Sequence, residues 1–172
     1  MNLNLQDKAV LVLASSGGIG RGVATEFARE GARVMLFARS EEKLAEAAAA
    51  IEAETGNRPL HTVGDITDPA SIETVVERTV AEFGGLWALF NNTGGPPAGA
   101  FAQFDDSAWQ SAFELTMLGY VRAIRATLPH LKAGGGGRIV NNTSVSTKQA
   151  IDGLLLSNVF RSGLVGLGKS LA

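Results

Sequence analysis

Short apolar runs that favour β-strands alternate along the chain with stretches of helical periodicity, and this alternation constrains the fold more than any other feature. Five runs predict strands, at residues 8–13, 33–38, 60–63, 86–90 and 138–142. Such alternation is typical of an α/β fold, a doubly wound parallel sheet joined by right-handed crossovers. Ligands of these sheets bind at the carboxyl ends of the strands, so we expect functional residues in the loops there.

The intervening helices carry recognisable start signals. Ser40 and Asp68 stand where N-caps are expected, and a proline follows Asp68 at the first helical position. A long helix is predicted from about residue 107 to 131, because its apolar residues follow one wide face. That face could serve as core or as an oligomer interface. A last helix is predicted from near Ser157 to the end of the chain.

Composition indicates a globular protein whose partner is a small molecule. The 172 residues fit one domain, 1–172, with 45% apolar and 19% charged residues. A net charge of −2 and the lack of a Lys/Arg cluster give no electrostatic footprint for nucleic acid or an anionic membrane. The chain has no cysteine and no recognisable signal peptide, so we expect a cytoplasmic location.

The first predicted strand ends in the turn "SSGGIG", and a helix follows it. Glycines let the backbone approach a phosphate closely, and a helix N-terminus offers unpaired N–H groups with a positive dipole. This arrangement favours a dinucleotide pyrophosphate. The alternative is that the glycines serve only the geometry of a tight turn.

Five motifs, in order, resemble the short-chain dehydrogenase/reductase family, and most of all its divergent ketoacyl-carrier-protein reductase-like branch. They are "GIG" at 18–20, "AREGARVMLFAR" at 28–39, "GDITD" at 64–68, "NNTGG" at 91–95 and "RIVNNTSVS" at 138–146. The resemblance implies a Rossmann-like sheet and hydride transfer between a nicotinamide cofactor and a carbonyl or alcohol substrate. In the family, further strands and a substrate-covering segment follow the last helix, so we expect the fold here to be C-terminally incomplete.

At the glycine-rich turn, the family pattern Thr-Gly-x-x-x-Gly-x-Gly falls on Leu13, Ala14, Gly18 and Gly20. The threonine and the first glycine are therefore replaced. A methyl group at Ala14 disfavours positive φ, so we expect weaker or differently shaped binding. The resemblance assigns cofactor contacts in this turn to Ser15, Ser16, Gly18, Ile19 and Gly20.

The loops after the second and third strands carry the adenosine half of the expected site. The resemblance places Asp65 on the adenine amino group and Ile66 against the ring; the alternative for Asp65 is an exposed carboxylate leading a helix. Arg39 follows the second strand, and no acid occurs at 37–39. A guanidinium there suits a 2′-phosphate, so NADP(H) is favoured over NAD(H), unless Arg39 is merely solvated.

Asn91, Asn92 and Gly94 match the family's Asn-Asn-Ala-Gly, with Thr93 in place of the alanine. The resemblance implies that these residues stabilise the sheet and line the cofactor cleft.

Three of the four positions that carry catalysis in the family are changed. The resemblance places the serine at Ser144, but the tyrosine position falls on Ser157, the lysine position on Arg161 and the asparagine position on Thr116. A serine lacks the acidity of a phenol, whereas Arg161 could still hold the ribose. Arginine stays charged and does not relay protons.

Lys148 is a candidate replacement acid, because it lies four residues after Ser144 in a loop expected above the site. The alternative is an ordinary solvated loop lysine.

Two readings of function follow. In the first, the chain is an NADP(H)-dependent oxidoreductase with an altered catalytic tetrad; in the second, it is a nucleotide-binding or regulatory module of the same fold that has lost the chemistry. A homo-oligomer is expected in either case, since an uncovered sheet edge invites pairing with another chain.

Overall fold

The computed structural model describes residues 3–172 and is built on a parallel sheet of five strands. The strands are β1 (Ala9–Leu13), β2 (Arg33–Ala38), β3 (Leu60–Val63), β4 (Ala88–Asn91) and β5 (Arg138–Asn141). Their spatial order is β3-β2-β1-β4-β5, with every neighbouring pair parallel. The predicted fold class is confirmed. The strand order reverses between β1 and β4, which is where a crevice opens in sheets of this kind.

In the described part of the chain, six α-helices connect and cover the strands. They are α1 (Gly18–Arg29), α2 (Glu41–Thr55), α3 (Pro69–Phe83), α4 (Asp106–Phe113), α5 (Gly119–Ala133) and α6 (Leu155–Leu171). A π-helical segment, Glu114–Leu118, joins α4 to α5. Within residues 3–172, no helix has both the length and the apolarity to cross a membrane.

Helices cover both faces of the sheet, as the alternating sequence pattern requires. On one face, α1 and α2 pack against alternate residues of the central strands, such as Val10, Val12 and Leu36. On the other face, α3, α5 and α6 pack against the intervening residues, such as Leu11 and Met35. Both sides of β1 and β2 are therefore buried, which explains their uninterrupted apolar sequences.

The predicted caps fix the starts of two helices. The hydroxyl of Ser40 accepts a hydrogen bond from the Lys43 backbone N–H, and the carboxylate of Asp68 accepts from the N–H groups of Ala70 and Ser71. These bonds satisfy N–H groups that the helices leave unpaired. They also set the positions of the loops after β2 and β3.

Some predicted boundaries differ from the structure. The fourth strand begins at Ala88 rather than at residue 86. Leu86 is buried in the core, which explains its apolar side chain, but it is not paired with a neighbouring strand. The predicted long helix is continuous in direction but contains the π-helical segment at 114–118. The last helix begins at Leu155, two residues before Ser157.

Candidate functional site

A cavity of about 1000 Å³ opens at the carboxyl ends of the strands, where the strand order reverses. The loops after all five strands contribute to it, together with α4, the π-helical segment and the start of α6. Most of the predicted site residues line it: Ser16, Gly18, Ile19, Arg39, Asp65, Ile66, Asn92, Gly94, Ser144, Ser157 and Arg161. The loops expected to carry function therefore meet at one site.

Four predicted residues do not line this cavity: Ser15, Gly20, Thr116 and Lys148. Thr116 is fully buried in the π-helical segment, and its hydroxyl donates to the carbonyl of Ala112. Its side chain is thus committed to the helix backbone. Lys148 is exposed just after the 3₁₀ turn Val145–Thr147. The structure does not bring these two side chains to the cavity.

The turn after β1 has the left-handed backbone that the family's glycine would supply. Ala14 has φ of +47°, although alanine rarely adopts this region. For an L-residue the left-handed conformation costs roughly 1–2 kcal/mol. Ala14 therefore adopts the conformation that its methyl group disfavours: the shape of the turn is kept, and the strain remains in it.

Gly20 serves the packing of α1 against the turn rather than a ligand. A Cβ at Gly20 would lie 2.3 Å from the Ala14 carbonyl oxygen and 2.9 Å from Asn92 Nδ2. No side chain fits in that space. The glycine brings α1 and the turn into backbone contact, which sets where the N-terminus of the helix meets the cavity.

The N-terminus of α1 faces the cavity through Gly17, Gly18 and Ile19. No side chain caps this helix, and its first turn contains no acidic residue. A Cβ at Gly17 or Gly18 would meet no atom within 4 Å, so the space beside both residues is open. The unpaired N–H groups and the helix dipole suit an anion such as a pyrophosphate.

Asp65 and Ile66 form the wall of the cavity after β3. One carboxylate oxygen of Asp65 accepts hydrogen bonds from the Thr67 backbone N–H and from its hydroxyl, both at 2.8 Å. These bonds fix the orientation of the carboxylate. Ile66 is almost fully buried yet contributes to the lining. An oriented acceptor beside an apolar surface is suited to an adenine ring with its amino group.

Two cations line the cavity after β2. Arg39 lies there as predicted, and Lys43 in the first turn of α2 lies there as well. Across residues 3–172, neither side chain pairs with a carboxylate. Their charges are available to an anionic ligand.

Lys43 was not predicted from the sequence, because it was interpreted only as part of a helix. Its spacing of three from the cap Ser40 could have placed it beside Arg39.

Arg161 projects from α6 into a cluster of backbone carbonyl oxygens. Its Nη1 donates to Asn142 at 3.1 Å and to Thr143 at 3.4 Å, and its Nη2 donates to Gly94 at 3.3 Å. The side chain is buried but still contributes to the cavity wall. Its guanidinium joins the loops after β4 and β5 to α6 and brings a fixed positive charge to the site.

Ser144 and Ser157 line the same end of the cavity as Arg161, because Ser144 follows Thr143, whose carbonyl accepts from Arg161, and Ser157 lies one turn before Arg161 on α6. Ser144 Oγ accepts a hydrogen bond from the Ser146 N–H at 3.1 Å, which caps the 3₁₀ turn and leaves the Ser144 hydroxyl proton to donate elsewhere. The titratable side chains on the cavity wall are Arg39, Lys43, Asp65 and Arg161. Arg39, Lys43 and Asp65 follow β2 and β3, away from this end, and the guanidinium of Arg161 does not relay protons.

Tyr120, the only tyrosine of the chain, is not positioned to replace the missing acid. It is fully buried outside the cavity lining, and its hydroxyl donates to the Asn142 carbonyl at 2.9 Å. Burial raises the pKa of the Tyr120 phenol, and the nearby Arg161 charge opposes that rise in part. Its hydroxyl is therefore a structural donor that stays protonated.

Further lining residues were not predicted from the sequence. Ser111 and Leu115 come from α4 and the π-helical segment, and Leu154 precedes α6. Ser111 and Leu115 belong to the stretch predicted as one regular helix, in which periodicity does not separate core residues from residues that face a cavity. The π-helical segment is the kind of irregularity often found at functional sites, but no sequence pattern distinguishes it from a regular helix.

Comparison with known proteins yields a consistent set of relatives. The 3-oxoacyl-(acyl-carrier-protein) reductase FabG of Escherichia coli strain K12 is 33% identical over 170 residues, which are 99% of this chain and 68% of that protein. The L-sorbose reductase of Gluconobacter frateurii, solved with NADPH and L-sorbose, superposes with a TM-score of 0.95 at 33% identity and covers 99% of this chain. A short-chain dehydrogenase from Burkholderia cenocepacia J2315, solved with NADP, has a TM-score of 0.89 at 31% identity and covers 97%.

The chain spans about two thirds of the length of these relatives: 65% of the sorbose reductase and 68% of the Burkholderia and Escherichia proteins. Residues 8–171 match the family described as short chain dehydrogenase. The motifs, the parallel sheet and the cavity at its switch point all agree with that match. This chain belongs to the short-chain dehydrogenase family.

Proposed function

We propose that the chain binds NADP(H) and serves as the dinucleotide-binding part of an oxidoreductase that acts on a carbonyl or alcohol substrate. The observation that carries the proposal is that two cations on the cavity wall after β2, Arg39 and Lys43, form no ion pair with a carboxylate of residues 3–172. A 2′-phosphate distinguishes NADP(H) from NAD(H), and a guanidinium suits it while a carboxylate repels it. Two related structures, those of the sorbose reductase and the Burkholderia dehydrogenase, contain NADPH or NADP.

The residues on the cavity wall fit such a cofactor along its whole length. The N-terminus of α1 at Gly17 and Gly18 would hold the pyrophosphate, and Asp65 with Ile66 would receive the adenine. Arg39 would hold the 2′-phosphate. The nicotinamide end would lie toward Ser144 and Arg161, beside the loop after β4. When bound, NADPH supplies the hydride.

At the substrate end, the chain can orient a carbonyl but has no ordinary acid to protonate it. The hydroxyls of Ser144 and Ser157 can each donate a hydrogen bond to a carbonyl oxygen. The fixed charge of Arg161 would stabilise the negative charge that develops on that oxygen. Neither serine releases its proton at neutral pH, so the proton would come from solvent. We therefore expect slow reduction compared with family members that have the tyrosine.

A second candidate is a nucleotide-binding module without turnover. The observation in its favour is that the titratable groups on the cavity wall include no proton donor for the substrate end. A family member with tyrosine and lysine gains from general acid catalysis, which contributes typically 10²–10⁴-fold. The loss of that contribution would leave binding intact.

Turnover separates the two candidates. NADPH is incubated with the purified chain and a panel of ketones, ketoses and β-ketoesters, and the loss of reduced nicotinamide is followed by its near-ultraviolet absorbance. Oxidation that depends on the carbonyl and falls in Ser144→Ala supports the oxidoreductase. NADPH binding without any oxidation above the Ser144→Ala level supports the binding module, and the absence of NADPH binding contradicts both.

A further inference from the structure

Ala14 keeps its left-handed conformation inside a frame of hydrogen bonds. Leu13, before it, is paired with Phe37 in the sheet. Ser15, after it, is fully buried: its N–H donates to the Phe37 carbonyl at 3.1 Å, and its hydroxyl donates to the Val12 carbonyl at 2.8 Å and accepts from the Phe37 N–H at 2.9 Å. Both neighbours of Ala14 are thereby fixed to the strands.

The carbonyl group of Ala14 is held as well. Asn92 Nδ2 donates to the Ala14 oxygen at 3.3 Å, and Asn142 Nδ2 donates to Asn92 Oδ1 at 2.8 Å. The second bond fixes which end of the Asn92 amide faces the turn. Arg161 in turn donates to the Asn142 carbonyl. A chain of hydrogen bonds therefore runs from α6, through the ends of β5 and β4, to the turn after β1.

Strained backbone persists only where the surrounding structure over-determines it. A glycine at position 14 would adopt φ > 0 with no such support, whereas alanine resists it. We propose that Ser15 and Asn92 are positioning residues that hold Ala14 in the left-handed conformation and so shape the turn. The proposal rests on the proposed function in one respect: this turn is taken as the pyrophosphate site.

The size of the effect follows from the strain. Once the frame is lost, the intrinsic preference of alanine against the left-handed region leaves a competent population of between about one in six and about one in thirty. The apparent affinity for a ligand falls in proportion to that population. Loss of the frame should therefore weaken NADPH binding about tenfold, although the Ser15 side chain does not line the cavity.

The test is a double-mutant cycle between Ser15→Ala and Ala14→Gly, read by fluorescence titration of NADPH. Ser15→Ala removes the two side-chain bonds of the frame. It should weaken binding up to about tenfold, and by a clearly smaller factor in the Ala14→Gly background. Thr79→Val is the matched control, because Thr79 is equally buried, donates to a backbone carbonyl and lies away from the cavity. It should leave NADPH affinity unchanged in both backgrounds.

Equal fold-changes for Ser15→Ala in the two backgrounds would overturn the proposal. A second measurement, urea unfolding without nucleotide, tests the inference even if the chain binds no NADPH and the proposed function fails. Ala14→Gly should raise the urea midpoint of the wild-type chain but raise that of Ser15→Ala less, because the strain is already released there. Equal midpoint shifts would contradict the inference. If Ser15→Ala does not fold, Asn92→Ala, which also removes a donor to the turn, replaces it in the urea measurement, where a direct contact of Asn92 with nucleotide plays no part.

Discussion

Arg161 Nη2 lies 3.3 Å from the carbonyl oxygen of Gly94, and this bond fastens α6 to the loop after β4. The other terminal nitrogen reaches Asn142 and Thr143 after β5. One buried guanidinium thus holds together the loops at the substrate end of the cavity, where the resemblance to the family implied a ribose contact. Both roles are compatible, since an arginine carries five N–H donors.

Arg161→Met should lower the free energy of unfolding by about 1–3 kcal/mol, because buried carbonyl oxygens lose their donor. Arg161→Lys should lower the free energy of unfolding by less, since an ammonium can still donate a hydrogen bond to one of the loops. Urea unfolding followed by circular dichroism measures both. A methionine variant as stable as the wild-type chain would show that the hydrogen bonds only offset the burial of the charge.

Restoring the family's proton donor should raise turnover. The double variant Ser157→Tyr/Arg161→Lys places a phenol and an ammonium at positions that both face the cavity. We expect carbonyl reduction to rise about 10²–10⁴-fold over the wild-type chain, the range of general acid catalysis. Ser157→Phe/Arg161→Lys is the matched control without the hydroxyl. Equal rates for the tyrosine and phenylalanine variants would refute the assignment of these two positions.

The free energy of unfolding should fall at alkaline pH because the buried phenol of Tyr120 resists ionisation. Burial raises the pKa of this phenol, so the folded state holds its proton more tightly than the unfolded chain does. The stabilisation is full below the unfolded value near pH ~10 and is lost as the pH rises through the folded pKa. The decline in unfolding free energy from about pH 9 to about pH 11 should be shallower in Tyr120→Phe. The same slope in both proteins would contradict this.

The β5 edge predicts self-association of this chain. β5 is an outer strand of the sheet formed by residues 3–172, and Val140 in it is 47% exposed. Unpaired strand edges with apolar side chains favour pairing with another chain. Sedimentation velocity should show dimers or larger species, and Val140→Lys should shift them toward monomer. A clean wild-type monomer would count against this prediction.

The sequence predicted the elements of this fold well because its patterns are local. Ser40 and Asp68 cap helices where expected, and the apolar run 33–38 is the strand β2. The misplaced start of the fourth strand has a tertiary cause, since Leu86 is buried without being paired in the sheet. The π-helical segment around Thr116 likewise has no local signal that separates it from a regular helix.

The site was predicted less completely than the fold. Arg39, Asp65 and Ser144, which the order of the motifs assigned to one site, line a single cavity, because strand ends of a parallel sheet meet at one edge. Contacts between distant loops could not be predicted from sequence patterns. The buried hydrogen bonds of Ser15, the carbonyl partners of Arg161 and the left-handed Ala14 all depend on residues far apart in sequence. Lys43 was missed for a different reason: its spacing of three from the cap Ser40 is a local signal, but the residue was interpreted only as part of a helix.

The central claim is that the cavity binds NADP(H) through its 2′-phosphate, and a fluorescence titration of NADPH and NADH tests it most directly. Wild type, Arg39→Ala and a control, Arg125→Ala on the exposed side of α5, are compared. We predict saturable NADPH binding that weakens about tenfold or more in Arg39→Ala, while NADH affinity changes less than about twofold and the control matches wild type. Equal affinities for NADPH and NADH, unaffected by Arg39→Ala, would contradict the account.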